Sequence, residues 1–285
     1  MGELNKIFPV REYDLNITLI SGQAFCWQLV DEAWEGVIGN HWVRLRLTEG
    51  GIAAVLAKPV RDWTWLEEYL QLQVDLNEVI ATFPNDEPIQ NAVAALSGLR
   101  LLRQDYWECL ASFILSSTKQ IVQIRQMVAL LSQRFGESVE SNSCKPAFAF
   151  PTIETIADCS ENELRDCKLG FRAPNLRSAA HDILDGSIDW ERLPTMTSGQ
   201  ARAELMKLRG VGQKIADCVL LYAGGHQNVF PVDVWIDRAL RRLYFPKRQP
   251  SVKLLRKFAD THFGPYAGYA QQYIFDYSRL HLKLK

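Results

Sequence analysis

The hydrophobic pattern of this chain changes its period once, near Trp63, and that change limits the possible folds. Between Ala24 and Leu56 apolar and polar residues alternate, which is the pattern of strands with one buried face. Gly39-Asn40 and Gly50-Gly51 interrupt this stretch as hairpin turns do. After Trp63 the apolar residues recur every three to four positions, as in helices. The sequence therefore predicts an α+β fold, in which an N-terminal antiparallel β-sheet precedes an all-helical region.

A chain of 285 residues is long enough for one large or two moderate domains. We place a sheet domain with flanking helices at residues 1–100 and a helical domain at residues 101–285. The expected helices cover residues 65–76, 89–96, 105–117 and 121–135. Ser160 with Glu163, and Thr197 with Gln200, have the spacing of capping boxes, which predicts two further helix starts.

Cysteine spacing and hydropathy argue against several classes of protein. The six cysteines form no C-x-x-C pair and no spacing typical of zinc or iron–sulfur sites, so we expect free thiols and no iron–sulfur cluster. No apolar stretch approaches the roughly 20 residues of a membrane helix, and the N-terminus has no export signal or lipid-anchor pattern. We therefore expect an intracellular protein without a membrane partner.

Charge is distributed unevenly, although the net charge is only -1. Residues 201–257 contain 12 Lys and Arg against 4 Asp and Glu, a local excess of +8, which leaves -9 for the rest of the chain. Such a basic segment is typical of a DNA-facing surface. A solvated helical face explains the same charges, so composition alone leaves both interpretations open.

The segment Leu208-Arg-Gly-Val-Gly-Gln-Lys214 joins two expected helices and indicates a helix-hairpin-helix. Gly210, Val211 and Gly212 form the bend, where glycines let backbone N–H groups approach a phosphate at the positive end of the second helix. Such contacts hold a protein on the DNA backbone without reading sequence. A tight connection between two helices is the alternative interpretation.

Lys214 and Asp233 are the candidate reactive pair. Lys214 falls in the first turn of the helix after the hairpin, where the helix dipole and any desolvation favour a neutral, nucleophilic amine. Asp233 follows Pro231-Val232 and opens the next helix. The alternatives are an exposed surface lysine and an aspartate that only caps a helix.

The hairpin through Cys218, combined with Pro231-Val-Asp-Val234, resembles the helix-hairpin-helix DNA glycosylases with a Gly/Pro-rich loop and an aspartate. Ser21-Gly-Gln-Ala-Phe-Cys-Trp27 and Gly264-Pro-Tyr-Ala-Gly-Tyr-Ala-Gln271 resemble the 8-oxoguanine DNA glycosylases within that family. Similar matches at Leu101-Leu-Arg-Gln-Asp105 and Glu108-Cys-Leu110 extend the likeness over nearly the whole chain.

The resemblance implies a bifunctional glycosylase and abasic-site lyase in base excision repair. In the family, the lysine that Lys214 matches attacks the sugar C1′, and the aspartate that Asp233 matches supports the positive charge that develops on the sugar. The amine adduct becomes a Schiff base, which permits strand cleavage by β-elimination. The resemblance also implies that no cofactor is required and that the partner is duplex DNA containing an oxidised purine. We expect a monomer located with the DNA, in the cytoplasm or nucleoid of a bacterium or the nucleus of a eukaryote.

Recognition of a flipped base is implied for four residues. The Gln271 amide would read the Watson–Crick edge, the Phe275 ring would stack on the base, and the Cys218 thiol would pack on its other face. The Gly22 carbonyl would accept a hydrogen bond from N7–H, which 8-oxoguanine has and guanine lacks. The alternative to base recognition is core packing for Phe275 and Cys218. For Gly22 the alternative is a glycine placed where a strand begins.

Contacts to the DNA itself are implied for two further groups of residues. Phe171 and Arg172 match the aromatic wedge and the arginine that face the orphaned partner base. Thr118, Lys119 and Gln123 stand where better-known members have asparagines and a cytosine-reading arginine, so the preference for cytosine is expected to be relaxed.

Two further features follow from the same comparison. Trp235 replaces a histidine that contacts phosphate in the family. A monovalent cation at the carbonyls of Met206, Leu208 and Val211 is also compatible with the resemblance.

Three other functions compete with this interpretation. A non-catalytic helix-hairpin-helix module would use Lys214 only as a phosphate contact, and a glycosylase for another damaged base would keep the same machinery. An iron–sulfur glycosylase for oxidised pyrimidines needs four cysteines after the aspartate, but no cysteine follows Cys218.

Overall fold

The N-terminal region of the computed structural model, which describes residues 2–282, is a five-stranded antiparallel sheet. Its strands are β1 (Glu3–Phe8), β2 (Gln28–Val30), β3 (Ala33–Ile38), β4 (His41–Thr48) and β5 (Gly51–Val60), in the order β1-β5-β4-β3-β2. The predicted turns at Gly39-Asn40 and before Gly51 connect β3 to β4 and β4 to β5. The sheet packs on a core that includes Trp27, Leu45 and Leu66.

Helices form most of the remaining structure. Within residues 2–282 they are α1 (Leu15–Ile20), α2 (Thr64–Tyr69), α3 (Leu76–Ala81), α4 (Glu87–Ala95), α5 (Tyr106–Leu115), α6 (Ile121–Phe135), α7 (Ile153–Asp158), α8 (Glu161–Asp166), α9 (Ala173–Leu184), α10 (Ser198–Leu205), α11 (Gln213–Tyr222), α12 (Val234–Tyr244), α13 (Val252–His262) and α14 (Ala267–His281). The predicted α+β class, with a sheet followed by a mostly helical region, is confirmed.

Side-chain caps fix several helix starts where the sequence predicts them. Ser160 Oγ accepts from the Glu163 N–H at 3.3 Å, and the Glu163 carboxylate accepts from the Ser160 N–H at 2.9 Å. Thr197 and Gln200 form the same reciprocal pair at the start of α10. Both predicted capping boxes are confirmed, because each satisfies orphan backbone donors with two short local bonds.

Two local predictions were wrong, and two further elements were not predicted. Strand β1 and helix α1 were not expected, and β1 exists because it pairs with the distant strand β5. The helix expected over residues 65–76 is broken into α2 and α3, since Gln71 adopts a φ of 54° and Asp75 caps a new helix through the Asn77 N–H at 2.8 Å. The second region is not all helical, because β6 (Ser138–Val139) pairs with β7 (Ala147–Phe148) in a small hairpin.

The apolar core of the helical region extends into the N-terminal hundred residues. Leu76 and Val79 of α3 and Ile89 of α4 pack in the same cluster as α5, α11 and α14. The sheet has its own cluster, to which Leu102 contributes from the other side of the proposed boundary. The division at residue 100 therefore stays a prediction, and by packing α3 and α4 belong with the helices that follow.

Other expectations concern thiols, metals and membranes. All six cysteines are free thiols, and five of them are at least half-buried. The described residues contain no cluster of three or more His, Cys, Asp or Glu able to hold a metal ion. Between residues 2 and 282, every helix is too short or too polar to cross a membrane.

Candidate active site

A cavity of about 340 Å³ lies between the turn after α1, the α5–α6 junction, α11, the start of α12, and α14. Eight of the residues singled out from the sequence line it: Gly22, Lys119, Lys214, Cys218, Asp233, Trp235, Gln271 and Phe275. Its volume is at the lower end of the range for small-molecule pockets, which suits one nucleobase and its sugar.

The hairpin that precedes α11 has the backbone geometry expected of its glycines. Gly210 adopts a φ of +80°, and a Cβ there would collide with the Asn175 side chain. Gly212 is the N-cap of α11 and offers no side chain to its free N–H groups. Both glycines are exposed, whereas Val211 between them is buried. The positive end of α11 is thus open to an anion from solvent.

Lys214 lies in the first turn of α11 and reaches the cavity. Its Nζ donates to Ser116 Oγ at 3.1 Å and lies 4.9 Å from the centre of the Phe113 ring. Ser116 Oγ in turn donates to the Phe113 carbonyl at 2.7 Å. A hydroxyl group and an aromatic face therefore hold the amine, whereas Asp233 bonds to the Ile236 N–H and not to Lys214.

Asp233 caps α12 and faces the cavity at the same time. Its Oδ1 accepts from the Ile236 N–H at 2.8 Å, which fixes the carboxylate at the start of the helix. Among the described residues Oδ2 accepts no hydrogen bond. The capping interpretation and the charge-stabilising interpretation are therefore compatible, since one oxygen serves the helix and the other is available to a ligand.

Cys218 and Tyr222 follow Lys214 at intervals of four residues on α11 and line the same cavity. Cys218 is buried, and burial raises the pKa of its thiol to about 12; the neighbouring Lys214 ammonium opposes this effect and Asp233 adds to it. The thiol is therefore neutral and suited to packing rather than attack. The Tyr222 ring stacks on Phe113 at 5.5 Å and extends this wall.

The opposite wall is formed by the turn after α1 and by α14. Gly22 adopts a φ of +80°, and a Cβ there would lie 2.6 Å from Ile121 Cδ1 and 3.7 Å from Phe275 Cε1. A side chain at this position would therefore be both strained and obstructed. Gln271 is 4% exposed, and its buried Oε1 has no hydrogen-bond partner. An unpaired buried amide oxygen is costly, which is expected where a ligand completes the bonding.

The residues implied in DNA contact differ in their exposure. Phe171 is 59% exposed in the turn before α9, as a wedge requires. Arg172 is buried, and its guanidinium donates to the Ser117 and Leu169 carbonyls and to Thr118 Oγ1. In this conformation Arg172 holds the α5–α6 loop, so most of its donors are engaged within the protein.

Thr118 and Lys119 lie in this loop, and Gln123 follows it in the first turn of α6. Thr118 adopts a φ of 56°, which is unusual for a β-branched residue. Gln123 Oε1 accepts from the Gln120 N–H at 3.2 Å and closes a capping box at the start of α6. Lys119 lines the cavity, while the exposed Gln123 lies on the first turn of α6 beside it.

Sequence reasoning missed several residues that line the cavity. Phe113 and Ser116 hold the Lys214 amine, and their spacing of three residues on a helix was a usable signal. Tyr222 continues the spacing of Lys214 and Cys218. Arg279 lines the cavity from the end of α14, and no local pattern indicated it. Trp235, by contrast, was noted from the sequence; it is 39% exposed and lines the cavity, where its ring can pack against a ligand.

The hairpin carbonyls offer a limited cation site. The Leu208 carbonyl accepts a hydrogen bond from the Val211 N–H at 3.1 Å. Among the backbone hydrogen bonds of turns, loops and caps in the described residues, none is accepted by the Met206 or Val211 carbonyl. Carbonyl oxygens are the type of ligand that a hard cation prefers. A cation there stays a prediction.

A hairpin with an open helix N-terminus, followed by a lysine and an aspartate at one cavity, defines a class of DNA-repair protein. The chain belongs to the HhH-GPD superfamily of base excision DNA repair proteins, whose family model matches residues 111–263. Residues 7–110 match the model of the 8-oxoguanine DNA glycosylase N-terminal domain. The resemblance stated from the sequence is confirmed.

Similar proteins cover almost the whole chain. The probable N-glycosylase/DNA lyase of Methanothermobacter thermautotrophicus is 30% identical over 95% of each chain. The structure of MBOgg1 in complex with a low-affinity DNA ligand has a TM-score of 0.90 at 31% identity and covers 98% of this chain and 96% of that one. The 8-oxoguanine glycosylase/lyase of Clostridium acetobutylicum, bound to duplex DNA with cytosine opposite 8-oxoguanine, has a TM-score of 0.89 at 27% identity and covers 98% of each chain.

Proposed function

We propose that this protein excises 8-oxoguanine from duplex DNA and cleaves the strand at the resulting abasic site, as a bifunctional glycosylase and lyase of base excision repair. The observation that supports this most is the cavity, where the Lys214 amine, the Asp233 carboxylate and the unpartnered Gln271 amide oxygen meet. Full-length likeness to glycosylase/lyases agrees with it.

The first chemical step replaces the bond between the sugar and the base. The Lys214 amine attacks C1′ with its lone pair, the C1′–N9 bond breaks, and the purine departs with the bonding electron pair and then takes up a proton. Positive charge builds on the sugar before the new bond is complete. The Asp233 carboxylate stabilises that charge from a position that its helix cap fixes in advance.

The second step uses the same nitrogen. Loss of a proton from the amine adduct and opening of the sugar ring give a protonated Schiff base, in which Lys214 is joined to C1′. Removal of a C2′ proton then expels the 3′ phosphate by β-elimination, and hydrolysis of the imine frees the lysine. The route draws its nucleophile and its electron sink from the lysine, so we propose that no cofactor is needed.

Recognition of the base divides between the two walls of the cavity. The Gly22 carbonyl accepts from N7–H of 8-oxoguanine and repels the N7 lone pair of guanine, and Gln271 pairs with the Watson–Crick edge. Phe275 and Cys218 pack on the two faces of the ring. An unpaired carbonyl costs about 1 to 3 kcal/mol, which corresponds to roughly 10- to 100-fold discrimination against guanine.

DNA contact outside the cavity is proposed for the hairpin and the wedge. Gly210, Val211 and Gly212 bring the α11 N-terminus to a phosphate, and Phe171 inserts at the step that the flipped base leaves. All of these residues belong to one chain, so a monomer is sufficient. The protein acts where the cell keeps its DNA, in a nucleoid or a nucleus.

The test uses duplexes that carry 8-oxoguanine opposite each of the four bases, with and without alkaline workup. Alkali cleaves every abasic site, so products that form without it report the lyase. Borohydride should trap a covalent protein–DNA adduct, because only an imine can be reduced in this way. Duplexes containing an alkylated purine serve as the control for another damaged base. Failure to release 8-oxoguanine, with efficient release of the alkylated purine, would overturn the proposal.

A further inference from the structure

The amide of Gln272, which neighbours Gln271 on α14, is buried and fully hydrogen-bonded. Gln272 is 1% exposed. Tyr222 Oη donates to Gln272 Oε1 at 2.5 Å. Gln272 Nε2 donates to the Ser21 carbonyl at 3.1 Å and to Asp276 Oδ2 at 3.3 Å. The amide thus connects α11 and α14 to the turn that carries Gly22.

The Asp276 carboxylate fixes which way this amide points. Asp276 is 1% exposed, and its Oδ1 accepts from Arg279 Nη2 at 2.6 Å and Nε at 3.1 Å. A carboxylate bonded in this way can only accept, so it requires the NH₂ end of Gln272. A rotated amide would place Oε1 against two acceptors, the Asp276 carboxylate and the Ser21 carbonyl. The orientation that donates to Ser21 is therefore strongly favoured.

The other side of the same turn is held by Gln23. Its Nε2 donates to Ser21 Oγ at 2.9 Å and to the Arg100 carbonyl at 2.8 Å, and its Oε1 accepts from the Leu102 N–H at 2.7 Å. The turn is therefore clamped on both flanks of Gly22. Gln272 is the clamp on the cavity side, because its bond reaches the peptide that joins Ser21 to Gly22.

We infer that Gln272 is a positioning residue for base selectivity: its bond to the Ser21 carbonyl fixes the Ser21–Gly22 peptide and so aims the Gly22 carbonyl at the purine N7. Successive residues on a helix point about 100° apart, so Gln271 faces the base while Gln272 supports the opposite wall. A glycine has a wide choice of backbone angles, which makes an external restraint necessary. The inference rests on the proposed function and adds a residue that does not itself touch the base.

The test compares two reactions of one enzyme. Release of 8-oxoguanine needs the Gly22 carbonyl in position, whereas cleavage of a preformed abasic site needs Lys214 but no base contact. Gln272→Met keeps the length of the side chain and removes the donor. The expected result is a fall of about tenfold in the single-turnover rate of 8-oxoguanine release, as the loss of one buried hydrogen bond predicts, with abasic-site cleavage within about twofold of wild type.

Tyr273→Phe is the matched control, because it removes a buried hydrogen bond of α14, from Tyr273 Oη to the Leu99 carbonyl at 3.3 Å, that does not reach the turn. This control should change both rates in parallel or not at all. Asp276→Asn is a second variant that keeps its volume and removes the orienting charge, and it should lower the ratio of the two rates two- to threefold.

A parallel loss of both reactions in Gln272→Met and Asp276→Asn, or an unchanged ratio, would overturn the inference and leave Gln272 a structural residue. A wild-type enzyme that cleaves abasic sites but does not release 8-oxoguanine would instead contradict the proposed function. The two failures are therefore distinguished by the wild-type reaction.

Discussion

Replacing Asp233 by asparagine separates the two roles that the structure gives this residue. Asparagine keeps the Oδ1 atom that accepts from the Ile236 N–H at 2.8 Å, and it caps helices about as well as aspartate. The negative charge is lost at the positive end of α12. The macrodipole contribution of that charge is about 0.3 to 1 kcal/mol, so the free energy of unfolding should fall by no more than about 1 kcal/mol.

The expected effect on catalysis is much larger. Two unit charges about 4 Å apart interact by roughly 4 kcal/mol at the effective dielectric of about 20 that applies near a protein surface. Asp233 is half-buried at the cavity wall, which is the environment that this value describes. If the carboxylate stabilises the charge on the sugar, its loss should slow base release by roughly a thousandfold.

The assay is single-turnover release of 8-oxoguanine with enzyme in excess, alongside urea unfolding of the same samples. Asp75→Asn is the matched control, because Asp75 caps α3 through the Asn77 N–H at 2.8 Å and is exposed. The control should match Asp233→Asn in stability while retaining the wild-type rate. Comparing the two variants separates the catalytic effect of the Asp233 charge from its effect on helix capping.

Two results would refute this reasoning. Activity within about tenfold of wild type in Asp233→Asn would show that the carboxylate does not stabilise the transition state. A loss of several kcal/mol in unfolding free energy, in step with the loss of rate, would make helix capping the principal role of the residue.

Three further predictions follow from the site. Lys214→Gln should abolish base release and borohydride trapping while DNA affinity stays within about tenfold, measured by gel shift, because the Lys214 amine lies in the cavity and the hairpin that meets the phosphate is unchanged; retained trapping would place the nucleophile elsewhere. Wild type should favour cytosine over adenine opposite the lesion by only a modest factor, and Gln123→Arg should widen the ratio of single-turnover rates, since a charged donor discriminates by roughly 1.5 to 3 kcal/mol; an unmoved ratio would redirect attention to Thr118 or Lys119. Burial raises the pKa of Asp276 from 3.8 to about 6, with Arg279 opposing, so its contribution to stability is fully present below pH 3.8 and is lost as the pH rises through 6. Between pH 4 and pH 7 that loss is about 2 kcal/mol in urea unfolding, and Asp276→Asn should remove it; an identical pH dependence in the two proteins would contradict the assignment.

Local sequence patterns predicted those features whose determinants lie close together in the chain. The alternation before Leu56 predicted the sheet, because residues two apart share a face of a strand. The spacing of Lys214 and Cys218 put them on one face of α11, and both line the cavity. The Ser160 and Thr197 capping boxes depend on atoms three residues apart, and both were found.

Several local interpretations failed because a distant partner decided the outcome. Strand β1 is stable through its pairing with β5, a contact that its own short sequence does not encode. Helix α2 ends at Tyr69, whose carbonyl accepts from the Arg103 N–H at 2.8 Å, although the apolar spacing continues beyond it. The Arg172 assignment is a separate case, since it came from the resemblance and the structure describes its guanidinium bonded to groups of the protein, including the Ser117 carbonyl. That role in base contact stays a prediction.

The sequence by itself determined the fold class, the hairpin and the residue types available for chemistry, because periodicity and short motifs report which faces are buried and which turns are possible. Only the tertiary structure decided that Gly22 and Gln271 face Lys214 across one cavity, and that Ser116 rather than Asp233 holds the amine. The physical reason is that amphipathic patterns specify a buried face but not its partner. The partner is chosen by side-chain packing and hydrogen bonds between segments far apart in the chain.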